Sequence, residues 1–422
     1  MMKRYETYKD SGVEWIGSMP ESWNTVKIKY LNNQEDTMFI DGDWIESKVI
    51  EENGIRYLTT GNIGPGYYKE QGRGFISEQT FEDLNCTEVF PGDLVMSRLN
   101  KPIGRACIIP NLGYRIIVAV DNVILRPNQN FERQYLMYIM NSNEYSTYTD
   151  LISRGATMQR ISRGQLGNIN IPVPSKQEQT QIANYLDYKT GLIDAIIAQK
   201  ETLIKKLKEL RLSLVEKVLI DKTIKRTQLR YVVNLTNRPI VYNEDEEYTK
   251  IGMYNWNRGL FLYPKTLGQD LGDSKFQIIR EGDLIISGQF AWEGAVSLVT
   301  DNENECIASH RFHVLNGKNE IILNEYLMAY FTSQEGHFIL NDNSNGSAGR
   351  NRPLNINYLL KEKIPIPNLD IQMEIKEVIK KEQENIIHSF KIIQKLKEYR
   401  QSLISEAVTG KIDVRDWQAP KS

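Results

Sequence analysis

The side chains in this chain best suited to chemistry are long polar ones bunched in glycine-containing stretches. TTGNIGPGYYK carries Thr59, Thr60, Asn62, Tyr67, Tyr68 and Lys69. SRLNKPIGR carries Arg98, Asn100, Lys101 and Arg105, and SRGATMQRISRG carries Arg154, Gln159, Arg160 and Arg163. In the C-terminal half, YNWNR offers Tyr254, Asn255, Trp256, Asn257 and Arg258. SGQFAW offers Gln289, and SNGSAGRNR offers Asn345, Arg350, Asn351 and Arg352. A guanidinium can donate two parallel hydrogen bonds to guanine and an Asn or Gln amide can pair with adenine, while Arg and Lys also hold phosphate. For any one of these residues, ordinary loop composition is the simpler reading. As a set of corresponding loops they suit DNA.

Motifs for catalysis are missing from the sequence. There is no GxxxxGK[ST] phosphate loop and no Asn/Asp-Pro-Pro-aromatic motif of an adenine methyltransferase. GNIGPG, from Gly61, has glycines at the wrong spacing for a dinucleotide fingerprint and reads as a turn. His310 and His313 lie three apart in a strand pattern, so they are expected to face opposite sides and not to pair on a metal. His337 and His388 stand alone. No catalytic, cofactor or metal residue is expected in this chain.

A length of 422 residues suggests two or three domains. The composition, 41% hydrophobic and 25% charged, is that of a globular protein, and no apolar run reaches the ~18 residues of a membrane span. MMKRYETYKD lacks the apolar core of a signal peptide, and Cys86, Cys107 and Cys306 are few and scattered, so a cytoplasmic protein is expected. Net charge is only −2, but it is unevenly spread. Residues 1–97 hold 9 basic and 17 acidic side chains, whereas residues 98–163 hold 9 and 4. Residues 176–230 hold 12 and 7, a local basic excess that fits either nucleic acid or a solvated helix face.

The positioning elements repeat. KLKELRLSL at Lys206 returns as KLKEYRQSL at Lys395, and IPVP at Ile171 returns as IPIP at Ile364. Each IPxP is an extended connector before a long helical pattern. Ser175 to Glu178 (SKQE) reads as a capping box opening the first helix. Its apolar stripe is Ile182, Leu186, Ile193, Ile196, Leu203, Leu207, Leu210 and Leu214. The second stripe is Ile375, Ile379, Ile386, Phe390, Ile393, Leu396, Tyr399 and Leu403. Two such helices of ~40 residues need partners of similar length, and each other is the partner expected, as a coiled coil; the alternative is two separate helices that each dock on a partner protein. The second copy is about four residues shorter. FPGDLVMS matches REGDLIIS, VAVDNVIL matches IASHRFHVL, and YLMYIMNS matches YLMAYFTS. The expected fold is therefore mixed α/β: two sheet-containing domains, 1–170 and 228–363, each followed by a helical region, 171–227 and 364–422.

In this order the motifs resemble the specificity subunit of a type I restriction–modification system. YKDSGVEWIGSMPESW, with Trp15, Gly17, Pro20 and Trp23, is similar to that family's opening. The IPxP segments and QEQTQIANYLD are similar to its conserved regions, and EAVTGKIDV (406–414) to its C-terminal signature. Ser22 departs from the usual His. The resemblance implies a non-catalytic subunit with two target-recognition domains in head-to-tail pseudo-symmetry, separated by the two long helices paired as an antiparallel coiled coil, each domain reading half of a gapped target in double-stranded DNA. The N-terminal signature would pack near the end of the second helix. Two methyltransferase subunits using S-adenosylmethionine, and restriction subunits using ATP and Mg, would be the partners. The alternatives are a coiled-coil adaptor whose two domains bind proteins or glycans, and an enzyme with an unrecognised nuclease or transferase site.

Overall fold

The computed structural model describes residues 3–32, 38–155, 158–272, 274–318, 320–346 and 352–420. The chain divides into two compact units, one made of Met1–Ala198 and Ile392–Ser422, the other of Gln199–Lys391.

The first unit contains a four-stranded antiparallel sheet in the order Met38–Asp41, Asn122–Arg126, Leu94–Ser97, Ala106–Ile108. Ile124 sits opposite both Ile40 and Val95. The run LVMS is buried along its whole length, as suits a strand flanked on both sides in the sheet. Its entry is the Gly92-Asp93 turn: Gly92 takes φ +93°, and Asp93 Oδ2 accepts from the Phe90 N–H at 2.9 Å. A second, three-stranded sheet pairs Ile55–Leu58 antiparallel with Phe75–Ile76 and parallel with Ile116–Val118.

The second unit repeats this plan. Its four-stranded sheet runs Val233–Thr236, Phe312–Gly317, Leu284–Ser287, Val296–Leu298, all antiparallel. The Gly282-Asp283 turn repeats the aspartate device, with Asp283 Oδ2 accepting from Arg280 N–H at 2.8 Å. The second sheet is broken into pairs, Phe276–Ile278 with Ile307–Ser309 and Ile251–Met253 with Leu260–Leu262, joined by a parallel bridge from Lys250 to Ile307. The fold is thus mixed α/β, a sheet-containing domain followed by a long helix, twice.

The IPxP connectors form edge strands, where a proline removes no ladder bond that matters. Asn170–Val173 pairs with Asn24–Lys27, and Lys363–Pro365 with Arg226–Gln228. The first long helix, Lys176–Ile220, has 45 residues and the second, Leu369–Val408, has 40, so each is roughly 60–70 Å long. Ser175 accepts from the Glu178 N–H, but the capping box is not completed. The Glu178 carboxylate instead accepts from Tyr5 Oη at 2.6 Å and Trp23 Nε1 at 3.1 Å. Tertiary donors outcompete the local one because they would otherwise be buried unpaired.

One turn later, each helix carries a fully buried glutamine with the same three bonds. Gln179 donates to the carbonyls of Pro174 and Asn130 and accepts from Glu132 N–H. Gln372 donates to Pro367 and Ile321 and accepts from Leu323 N–H. Each pins a connector and the loop before the domain's first C-terminal helix onto the start of its long helix.

Within each unit the two helices pair antiparallel. In the first, Ile182, Leu186 and Ile193 share a core with Leu403 and Ile404, and Arg400 meets Asp194 at 3.1 Å. In the second, Leu214, Val215 and Val218 share a core with Ile375 and Ile379. There Arg211 meets Glu382, at 2.9 Å, with both side chains nearly excluded from water. The stripes are not buried throughout: Ile196, Leu203, Leu210, Phe390 and Tyr399 are exposed. A heptad pattern marks which face is apolar, but burial also requires the flanking domain to close over it. The N-terminal segment packs on the end of the second long helix: Tyr8 Oη donates to the Gly410 carbonyl, and Asp413 N–H donates to the Lys3 carbonyl at 2.8 Å.

Candidate nucleic-acid interface

In the first unit the three polar stretches meet, the first two on Arg105 and the second and third through Arg98. Its guanidinium is buried and donates to five carbonyls, those of Ile63 and Thr60 on one loop and of Leu99, Asn100 and Pro102 on the next. No carboxylate pairs with it among the described residues, and burial lowers its pKa from the usual arginine value. Arg98 is equally buried. It pairs with Asp41 at 2.8 Å and Asp121 at 3.5 Å, and donates to the Ile161 carbonyl of the third stretch. Asn62, also buried, accepts from Thr59 N–H and donates to the Lys69 and Gln71 carbonyls. These three side chains hold the loops together and do not face solvent. A fixed-fork donor set inside a glycine-rich turn finds unpaired carbonyls before it finds water.

Around that scaffold lies an exposed cationic rim. Lys101 reaches Asp150 at 3.1 Å and Arg160 reaches Asp121 at 2.7 Å. Arg163 stands 3.7 Å from Asp41, and Arg154 is exposed. Asn100 is exposed at φ +59°, its N–H donating to the Gln159 carbonyl, so the second and third stretches are laced together. On the first stretch, Lys69 Nζ lies 5.6 Å from the ring centre of exposed Tyr67, while Tyr68 turns inward and donates to Glu70. Thr60 contributes its carbonyl to Arg105. Burial, then Glu70, pushes the Tyr68 phenol up to about 12.

The second unit gathers its stretches differently. Trp256 and Asn257 both adopt left-handed backbone conformations, φ +60° and +53°, which non-glycine residues seldom take. They are held by N–H bonds to the carbonyls of Glu293 and Gly294 and by the Asn255 amide, which donates to Glu293. Trp256 is 64% exposed and lies nearly parallel to the His337 ring, 6.0 Å between centres. Arg258 lies over Tyr254, 5.2 Å from the ring centre. Arg352 donates to the Ser344 carbonyl at 3.1 Å and covers Trp292, while Asn345 is exposed. Arg350 and Asn351 lie outside the described residues. Gln289 accepts from Arg311 at 3.5 Å.

Sequence reasoning passed over Arg311, Lys250 and Tyr263. Together with Gln289, Phe261 and Phe290 they line one cleft of about 360 Å3. Arg311 sits within a segment read as continuous strand; the only signal was its place next to His310, where the strand breaks. That break also corrects the histidine expectation. Residues 310 and 311 form a turn between two strands, alternation does not carry across it, and His310 and His313 line the same pocket. Burial lowers the His313 pKa below the usual imidazole value. No cluster of three or more metal-ligating side chains occurs among the described residues.

These duplicated units, with polar loops at matching edges of the same sheet order, define a two-domain recognition protein. Residues 20–208 and 222–398 match the family described as the type I restriction modification DNA specificity domain, and the chain belongs to that family. It is 24% identical to the type I restriction enzyme MjaIX specificity subunit of Methanocaldococcus jannaschii, across 98% of each chain. It is 23% identical to the StySPI specificity subunit of Salmonella potsdam, over 46% of this chain and 42% of that one. Among solved structures, the fold is similar to a chain of a type I R-M system at TM-score 0.59 and 14% identity, covering 92% and 98% of the two chains. It is also similar to the S subunit from M. genitalium at TM-score 0.50 and 12% identity, covering 92% and 96%.

Proposed function

We propose that this chain reads a bipartite, gapped sequence in double-stranded DNA, one half with each recognition unit, and scaffolds the enzymes that act on it. Residues 1–170 and 228–363 are the target-recognition domains, and 171–227 and 364–422 the helical regions between and after them. The observation that carries this reading is the repeated sheet order with exposed cations and amides on the matching loops. Two related readers joined by long helices suit a polymer whose grooves repeat. Exposed Tyr67, Asn100, Lys101, Arg154, Arg160, Arg163, Tyr254, Trp256, Arg258 and Asn345 are assigned to DNA, together with half-buried Lys69 and Gln289. Asn62, Arg98 and Arg105 are assigned to positioning the loops.

The partners are two methyltransferase subunits, which modify adenine N6 with S-adenosylmethionine, and restriction subunits that use ATP and Mg. The chain itself is non-catalytic and acts in the cytoplasm. No helix among the described residues is long and apolar enough to cross a membrane. The test is single-molecule methylation sequencing of host DNA, with this gene intact or deleted and its modification partner expressed. A gapped N6-methyladenine motif that vanishes on deletion is the expected result; an unchanged methylome with an active partner overturns the proposal. Exchanging residues 1–170 with those of a relative should change one half-site only. Change in both halves would end the modular assignment.

A further inference from the structure

We propose that the second recognition unit holds one nucleotide of its DNA half-site out of the base stack, in the cleft bounded by Lys250, Phe261, Tyr263, Gln289, Phe290 and Arg311. This inference rests on the DNA-reading function above and adds to it a base-extrusion step within the specificity chain.

The cleft has the three properties an extruded nucleotide requires. Its volume, about 360 Å3, falls within the ~300–1,000 Å3 of small-molecule sites. Its wall is aromatic. On the hairpin of Ile251–Met253 and Leu260–Leu262, the rings of Tyr254, Phe261 and Tyr263 follow one another, 4.6 Å and then 5.1 Å between centres. Of these rings Phe261 and Tyr263 line the cleft, joined there by Phe290, while Tyr254 lies beyond the lining; Tyr263 and Phe290 are exposed. Any base can stack on such rings, whatever its identity. The rest of the lining mixes apolar Ile251, Met253, Phe276 and Phe312 with polar groups: the Gln289 amide and the Ser309 hydroxyl can meet a base edge, and Lys250 and Arg311 can meet its phosphate.

The cations are free to do so. Among the described residues neither Lys250 nor Arg311 forms an ion pair, and Arg311 donates its hydrogen bond to the neutral amide oxygen of Gln289. The first unit provides the contrast. Asn122 pairs with Ser97 in its sheet as Phe312 pairs with Ser287 in the second, so Asp121 occupies the position of Arg311. Asp121 is already neutralised by Arg98 and Arg160. The duplicated scaffold thus carries a closed ion network at this position in one unit and an open cationic, aromatic cleft in the other. Gly252 allows this shape, because a Cβ there would lie 2.2 Å from the Phe261 ring and displace it.

The test uses the full chain with 2-aminopurine placed in turn at each position of the half-site read by the second unit. An extruded 2-aminopurine loses the quenching of its stacked neighbours. A several-fold emission rise is expected at one position, together with its loss in Tyr263→Ala and a roughly tenfold weaker affinity in Arg311→Ala. Both side chains are outside the core, and a thermal melt of each variant confirms folding. Duplex binding with no rise at any position overturns the proposal. In a second arm, dAMP and single-stranded dT5 are titrated against the chain. Should duplex binding be absent while Tyr263→Ala and Arg311→Ala still weaken dT5 roughly tenfold, the cleft assignment stands and the sequence-reading function is what fails. Tight dAMP binding without any dT5 binding makes this a free-nucleotide site, which also overturns the proposal.

Discussion

Replacing Arg211 with methionine tests whether the helix pair of the second unit depends on a buried charge. Arg211 Nη1 donates to both Glu382 oxygens, at 2.9 and 3.1 Å, and the two side chains are 10% and 4% exposed. Burial, the largest influence on each, raises the Glu382 pKa and lowers that of Arg211; their mutual attraction opposes both shifts. Among the described residues the Arg211 Nε has no partner, so the pair is not fully satisfied. Removing one member of such a pair strands the other and costs about 3–5 kcal/mol, whereas replacing both with apolar residues is often neutral or stabilising. For a unit of this size a kilocalorie shifts the midpoint by about 2–4 °C, so Arg211→Met should lower it by roughly 6–20 °C. Arg211→Leu combined with Glu382→Leu should recover most of that.

The effect has a pH signature. Glu382 already has its pKa raised above the unfolded value, and without Arg211 it rises further. A group shifted upward favours the fold below its unfolded pKa, near 4.5, and loses that contribution as pH rises through the folded pKa. The difference between Arg211→Met and the parent should therefore be largest at neutral pH and shrink on acidification toward pH 5. Urea unfolding followed by far-UV circular dichroism at both pH values measures it. A single variant within 1 kcal/mol of the parent at neutral pH, or a deficit that deepens in acid, would refute the reasoning.

Other perturbations follow from the same geometry. Arg105→Ala frees five carbonyls under two recognition loops and should weaken DNA binding at least tenfold, with raised hydrogen exchange at residues 59–63 and 99–102; unchanged exchange there would contradict its role as a loop anchor. Lys101→Ala and Arg160→Ala should each weaken binding about equally on all sequences and flatten the salt dependence by about one ion, read by anisotropy titration across KCl concentrations. A change in target preference instead would make them base readers. Gln372→Ala removes partners from two carbonyls and one N–H and should cost about 3 kcal/mol, with hydrogen exchange rising at residues 321–323. Gln179→Ala should do the same at residues 130–132, and a neutral outcome for either would show that water replaces the amide.

The repeat, the long helices and the two sheet-containing domains were legible in the sequence because each rests on local, periodic information. Gly-Asp turns, IPxP connectors and heptad spacing act over a few residues and look alike in both copies. The loops that carry polar side chains were legible as well, since glycine and polar clusters mark where a chain turns. Which of those side chains faces solvent was not. Arg98, Arg105 and Arg160 belong to one arginine-rich set in the sequence, yet two are sealed under the loops and the third is exposed. That choice depends on carbonyls and carboxylates contributed from distant positions, Thr60, Ile63, Asp41 and Asp121, which only folding brings within reach.

The same limit hid the cleft in the second unit. Lys250, Tyr263, Gln289 and Arg311 are spread over more than 60 residues and share no motif, and the turn that frees Arg311 interrupts what the pattern reads as one strand. Glu178 also took its partners, Tyr5 and Trp23, from a segment more than 150 residues away in place of the local cap. Local hydrogen bonding and periodicity determined the elements of this protein. Desolvation of charged and polar groups on packing, a property of the assembled unit, decided which residues hold the fold and which remain free to meet a ligand.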